Sequence, residues 1–331
     1  MTRLSLLAAA GACLLALALA GSAVPWTTSS FTASVTNAGN SFAAAAVNTA
    51  PDVTAAAIGK SSGGAVGSVR RSGTFYVYAN ATDDRGVSML RATLTNLTGS
   101  STAVTLSAGS WRAGGVSYGW RSAALTASSS LSNGAKSFTV TATDAAGLTD
   151  TFTGSVTADS TSPSARSIAT TNKAGGIAGR AEQGDTAVVA FTEAIDSDSL
   201  VDGWDGTALD VQVAIVDGGG SSNDLLRVYD EDTLDPDGYL PIGTIDLRRS
   251  DFVMSGSPAV FGLATASGTA SRIVLSGATL TITLGSLDLG SSNTSSGNAV
   301  ERYTPVSTIT DVAGNASGTS TVSASGSHRA F

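Results

Sequence analysis

The sequence predicts an all-β chain in which two consecutive β-sandwich modules follow a leader and a short extended segment. Three observations carry that expectation. Only 13% of the 331 residues are charged and 6% are aromatic, while Gly (38), Ser, Thr and Ala dominate, so the Glu/Lys/Leu runs of a helical bundle or coiled coil are missing. Short stretches alternate apolar and polar residues, with Gly/Ser/Asn/Asp turns between them. One turn motif recurs near the end of each half of the chain. A hydrophobic fraction of 42% also excludes a disordered acidic protein and leaves enough apolar material for two cores.

Residues 1–23 read as an export signal. Arg3 supplies the positive start, Leu4 to Ala20 the apolar stretch, and Gly21-Ser22-Ala23 the small residues for cleavage. Ala10-Gly11-Ala12-Cys13 approaches a lipoprotein box, but Leu14 to Ala20 stay apolar where such a protein turns polar. Cleavage after Ala23 would remove Cys13, the sole cysteine, so no disulfide could form in the mature chain. The expected location is therefore secreted, extracellular or at the cell surface, with membrane contact only through an uncleaved leader.

Residues 24–50 form an extended Ala/Ser/Thr/Asn-rich segment, 51–161 the first module and 162–331 the second. The joint Ala158-Asp159-Ser160-Thr161-Ser162-Pro163 is short, polar and closed by proline. Charge supports the division. Residues 24–158 carry eight basic and five acidic residues, and residues 159–331 carry nine and twenty-one; with Arg3 the net is −8. An acidic second half disfavours nucleic acid, whose phosphates need a basic footprint, and permits cation binding.

Thr74–Asn80 places Phe75, Val77 and Ala79 on one face, and Lys136–Thr143 places Phe138, Val140 and Ala142 inward with Thr outward. Further strands are expected at Val87–Leu97, Leu148–Val156, Thr186–Thr192, Leu209–Val216, Arg272–Ser276 and Thr279–Leu284. The recurrent motif is Thr143-Asp144-Ala145-Ala146-Gly147 in the first module and Thr310-Asp311-Val312-Ala313-Gly314-Asn315 in the second. Asp can accept from a backbone N–H two residues on, and Gly allows the left-handed return, so each reads as a tight strand-joining turn.

Phe31-Thr32-Ala33-Ser34-Val35-Thr36-Asn37-Ala38-Gly39-Asn40-Ser41-Phe42 resembles the start of bacterial exported proteins with SipW-dependent signal peptides, the group of TasA and camelysin. The likeness covers about the first 50 residues and departs at Pro25-Trp26. Residues 51–161, with the Asp144 turn, look like a bacterial Ig-like domain. The second module is similar to Ig-like modules of surface-layer and adhesion proteins through Asp185-Thr186, Phe191-Thr192-Glu193, Leu280-Thr281-Ile282 and Asp311 to Asn315. Its stretch from Asp202 to Phe261 is longer than those modules need and reads as an insertion. The resemblance implies a non-catalytic stalk, adhesin or biofilm-matrix component, with no catalytic residues. Phe31, Ala33 and Val35 alternate with Thr32, Ser34 and Thr36, so the first segment could pair with a neighbour's sheet edge, a route to self-association.

The candidate metal site is the acidic run from Asp230 to Gly238, in which Asp230, Asp232, Asp235 and Asp237 offer oxygen ligands for Ca²⁺. Pro236 interrupts it and no closing Glu follows, unlike an EF-hand loop. A second acidic loop, Asp196 to Asp205, is expected to cap a helical turn at Ser199–Val201 or to join the same ion. Trp111, Tyr118 and Trp120 form the one local aromatic cluster; shared exposure of the two tryptophans would favour carbohydrate or cell-wall binding. Gly218-Gly219-Gly220 lacks the Lys-Ser/Thr of a phosphate cradle. A single histidine, His328, leaves no multi-His metal site, and no nucleophile with a base is visible. No cofactor other than Ca²⁺ is expected, and a secreted hydrolase is the least favoured reading.

Overall fold

The computed structural model describes residues 47–60, 65–219, 222–230, 238–262 and 268–331. The leader, nearly all of residues 24–50, and Asp232, Asp235 and Asp237 lie outside the described residues. Thr49–Phe331 form one compact unit.

The described chain is all-β, built on two sheets. The first uses β1 (Asp52–Gly59), β2 (Ser68–Val69), β3 (Thr74–Thr82), β4 (Val87–Thr93), β5 (Val104–Ala113), β6 (Val116–Ser122), β7 (Leu125–Thr126), β8 (Gly134–Asp144) and β9 (Thr149–Ala158). Their order is β1-β3-β6-β5-β4-β8-β9-β2, with β7 added to β3. The ladder curls so that β1 lies against β9, and the Val53 N–H donates to Asp150 Oδ2 at 2.9 Å.

Alternation builds the core as expected. Phe138, Val140 and Ala142 of β8 are buried, and on the other face Thr141 and Thr151 pair through their hydroxyls at 2.9 Å. Gly154 stands opposite Phe138, where an added Cβ would meet the ring at 2.6 Å; the glycine makes room for the aromatic across the ladder. Two differences from the expected strands have local causes. The strand expected from Val87 to Leu97 ends at Thr93, because Leu94 and Leu97 are both buried and their spacing suits the helical turn Thr95–Thr98. The hairpin β5–β6 was not among the expected strands. Gly114 and Gly115, with φ of 54° and 77°, form its two-residue turn, a signal readable in the Gly-Gly pair between alternating runs.

The second sheet uses β10 (Ala165–Thr171), β11 (Thr186–Phe191), β12 (Leu209–Val216), β13 (Leu225–Tyr229), β14 (Thr244–Asp246), β15 (Ala259–Phe261), β16 (Ser271–Ser276), β17 (Thr279–Thr283), β18 (Leu287–Leu289), β19 (Arg302–Thr304) and β20 (Val322–Ser323). The order is β10-β11-β17-β16-β12-β13-β14-β19-β20, with β15 on β12 and β18 on β15. β10 lies close to β19 and β20, so this ladder also folds back over its own core. The stretch Asp202–Phe261 supplies β12 to β15, including Val213, Ile215, Leu226 and Phe261 of the core, and is woven through the sheet.

Both recurrent motifs form turns with a left-handed glycine, but only the first joins two strands and shows the expected acceptance from two residues on; the second is flanked by isolated bridges. Asp144 Oδ1 accepts from Ala146 N–H (2.9 Å) and Leu148 N–H (2.8 Å), with Gly147 at φ 86°. Asp311 Oδ1 accepts from Asn315 N–H (2.7 Å), with Gly314 at φ 93°.

The inward and outward roles on β8 predict unequal costs. Phe138→Ala should destabilise by about 3–5 kcal/mol, whereas Thr139→Ala should stay within about 0.5 kcal/mol. Urea midpoints of the two variants check this; equal midpoints would contradict the assigned faces.

Candidate functional site

Side chains from both sheets converge where the chain passes from one to the other. Lys60, at the end of β1, has only 18% of its side chain exposed and reaches Asp196 Oδ2 at 2.5 Å. It also donates to Thr310 Oγ1 (3.1 Å) and to the Asp311 carbonyl (3.2 Å). From the other side, Asn315 Nδ2 donates to the Asp159 carbonyl (3.1 Å) and to Asp311 Oδ2 (2.8 Å). The turn marked by the recurrent motif thus holds the end of the first sheet from two directions.

At the same place the carboxylates of Asp159, Glu193 and Asp311 approach within 4.8 Å of one another. Asp311 is 2% exposed and both its oxygens already accept from Asn315. Glu193 Oε1 is buried and has no hydrogen-bond donor among the described residues. The crowding therefore falls on Glu193, whose pKa is pushed up to about 7, chiefly by burial, then by the charges of Asp159 and Asp311 and a hydrogen bond with Asp159. Three oxygens at this separation can be reconciled by a shared proton or by a hard divalent cation such as Ca²⁺.

The residues expected to form a site are distributed differently. Asp230 is exposed, and its three partners in the acidic run lie outside the described residues. The second acidic loop departs from its expected role. Its helical turn is Ser197–Ser199, two residues earlier, and Asp196 makes no side-chain cap there because its carboxylate pairs with Lys60. Asp198 instead closes the loop by accepting from Gly203 N–H at 2.7 Å. Trp111 and Trp120 do not share a platform. Trp120 packs against the main core, while Trp111 joins Tyr78 and Tyr118 in a satellite cluster, with Arg121 over its ring at 5.1 Å.

His328 Nε2 lies 3.2 Å from Thr170 Oγ1 and 3.4 Å from Glu301 Oε2. Both groups meet the same nitrogen, whereas a nucleophile–base–orienter relay uses the two ring nitrogens in series. Glu301 is fully buried, neither of its oxygens has a hydrogen-bond donor among the described residues, and burial raises its pKa.

No known family and no curated protein matches the chain. Among solved structures, it is similar to a chain from a study of the promiscuous specificity of carbohydrate-binding modules of the β-sandwich superfamily, at 12% identity and a TM-score of 0.24, covering 74% of this chain and 94% of that one. It is also similar to chitinase ChiA74 from Bacillus thuringiensis, at 14% identity and a TM-score of 0.19, covering 74% of this chain but 28% of the chitinase. Likenesses at these scores say nothing about ligand or activity.

Because the folded pKa of Glu193 lies above its ordinary value, its contribution to stability is present below about pH 4.5 and is lost as pH rises through about 7. In EDTA, Glu193→Gln should match the wild type at pH 5 and exceed it at pH 8 by on the order of 1 kcal/mol, the partial exposure of the site tempering the effect. Thermal melts across that range check it; parallel pH profiles would contradict the crowding.

Proposed function

We propose that this chain is a non-catalytic protein of the cell surface or extracellular matrix, exported by its leader and acting as a two-module stalk or adhesin. The observation that supports this reading best is the joint. Lys60, Asp196, Asp311, Asn315 and Asp159 bind the end of one sheet to the turn of the next through partly buried ionic and amide contacts. A clamp of this kind resists bending between modules, which a spacer carrying load requires and a simple flexible tether would lack. The interiors are apolar and the buried acids are mostly tied to backbone N–H groups, an arrangement that serves rigidity. Self-association through residues 24–48, whose Phe31, Ala33 and Val35 alternate with polar residues, is the fibre-forming version of the same reading.

The joint gives the test. In the wild type, the link 159–163 should resist limited proteolysis. Lys60→Ala combined with Asn315→Ala should open it to cleavage, at least several-fold faster, while both modules keep their cores. Cleavage of the wild type at the same rate would remove the stiff-stalk reading.

Light scattering addresses assembly. Concentration-dependent polymers that vanish on deletion of residues 24–48 would support the fibre version, and polymers that persist would exclude the donated strand. A melting temperature raised by Ca²⁺ in the wild type but unmoved in Glu193→Gln would shift the reading to a calcium-dependent carbohydrate or cell-wall binding module.

A further inference from the structure

The outer face of the second sheet carries an open depression of about 620 Å³, away from the joint residues. Val216 of β12, Tyr229 of β13 and Pro258 form its apolar part, and Asp217, Arg227 and Ser255 its polar walls. Alternation explains the arrangement. Leu226 and Val228 point into the core, so Arg227 and Tyr229 stand outside, beside Ala214 and Val216 on β12.

Arg227 is held by an aromatic ring rather than by an acid. Arg248, Arg249 and Arg272 each hold an aspartate, in a half of the chain with twenty-one acidic residues. Arg227 has no ion pair and no hydrogen bond among the described residues; its guanidinium is held 4.8 Å over the ring of Tyr239. Tyr239 is 44% exposed and is steadied edge-on by Tyr229 at 6.4 Å. The stacking orients the guanidinium plane while leaving its N–H donors available. Asp217 is fixed as an acceptor by Gly219 N–H at 3.0 Å and by Ser255 and Gly256.

We infer that this depression binds a saccharide bearing a carboxylate, of the uronic acid class. A sugar acid supplies in one ring what the walls ask for. Its carboxylate matches the two-pronged guanidinium of Arg227, its hydroxyls donate to Asp217 and exchange hydrogen bonds with Ser255, and its C–H face covers Val216 and Pro258. The volume suits one or two sugar units. The assignment deepens the adhesive half of the function proposed above and rests on it for the source of the ligand; the stalk half stands without it.

Calorimetry of the purified protein with tetragalacturonate, cellotetraose and polyglutamate tests it. Tetragalacturonate should bind, cellotetraose and polyglutamate should not, and Arg227→Ala should weaken binding roughly ten- to hundredfold, as expected for a lost charge-assisted pair. Arg227→Lys should recover only part of the loss because it lacks the fork. Tyr239→Ala, at an exposed position, should also weaken binding, and Arg272→Ala should bind as the wild type does. No heat with tetragalacturonate at millimolar concentration would overturn the assignment. So would equal binding of either control ligand, or unchanged binding in both Arg227→Ala and Tyr239→Ala with native melting temperatures. A failure here alongside a protease-resistant joint would leave the stalk reading in place.

Discussion

The Asp311 carboxylate converts a local turn into the contact between the two sheets. Its oxygens hold the backbone and side-chain amides of Asn315, and the amide so fixed donates onward to the Asp159 carbonyl. The Asp311 carbonyl meanwhile accepts from Lys60, which also pairs with Asp196. Each contact depends on the turn having the correct shape, and Gly314 at φ 93° permits that shape. The turn at Asp144 shares the acceptance from the N–H four residues on, adds one from the Ala146 N–H, and closes the β8–β9 hairpin within its own sheet. One motif therefore serves two ends, and its surroundings decide which.

Acidic residues do in this chain some of the work that disulfides do elsewhere. Asp185 is fully buried and accepts from the Lys173 and Glu182 N–H groups, clipping together the two ends of the loop between β10 and β11. Asp224 accepts from the Phe252 N–H and secures the segment after β14. Burial raises the pKa of both, while the backbone donors pull the other way. Such clips fix loops without covalent bonds, at the cost of desolvating a carboxylate each time. Glu193 and Glu301 differ: Glu193 Oε1 and both carboxylate oxygens of Glu301 are buried without a hydrogen-bond donor among the described residues.

The joint and the groove divide the molecule's chemistry. The joint is inward-looking: Lys60, Asn315, Asp196 and Asp311 pair with one another there, and Glu193 is crowded against Asp159 and Asp311. The groove is outward-looking: Arg227 is stacked on the ring of Tyr239 and, among the described residues, its donors are unengaged. Geometry causes the difference. Lys60 stands at a strand end facing the next module, whereas Arg227 stands mid-strand on the outer face of its sheet.

Period-two alternation made the strands legible, because an inward residue must meet the core whatever lies across it; Phe138, Val140 and Ala142, and β12 from Leu209 to Val216, are where the sequence placed them. The Asp-Gly turns were legible for the same local reason, since their hydrogen bonds close within five residues. The third determinable feature was the uneven charge of the two halves. The tertiary structure alone brought Asp159, Glu193 and Asp311 together, residues separated by up to 152 positions in sequence. It alone turned Asp196 from an expected helix cap into the partner of Lys60, because a carboxylate beside a buried ammonium gains more than one capping an exposed helical turn. It alone separated Trp111 from Trp120, and it set Arg227 over the ring of Tyr239. Local pattern sets what a residue's neighbours along the chain allow; only the closing of the sheets sets which distant charges must share a space.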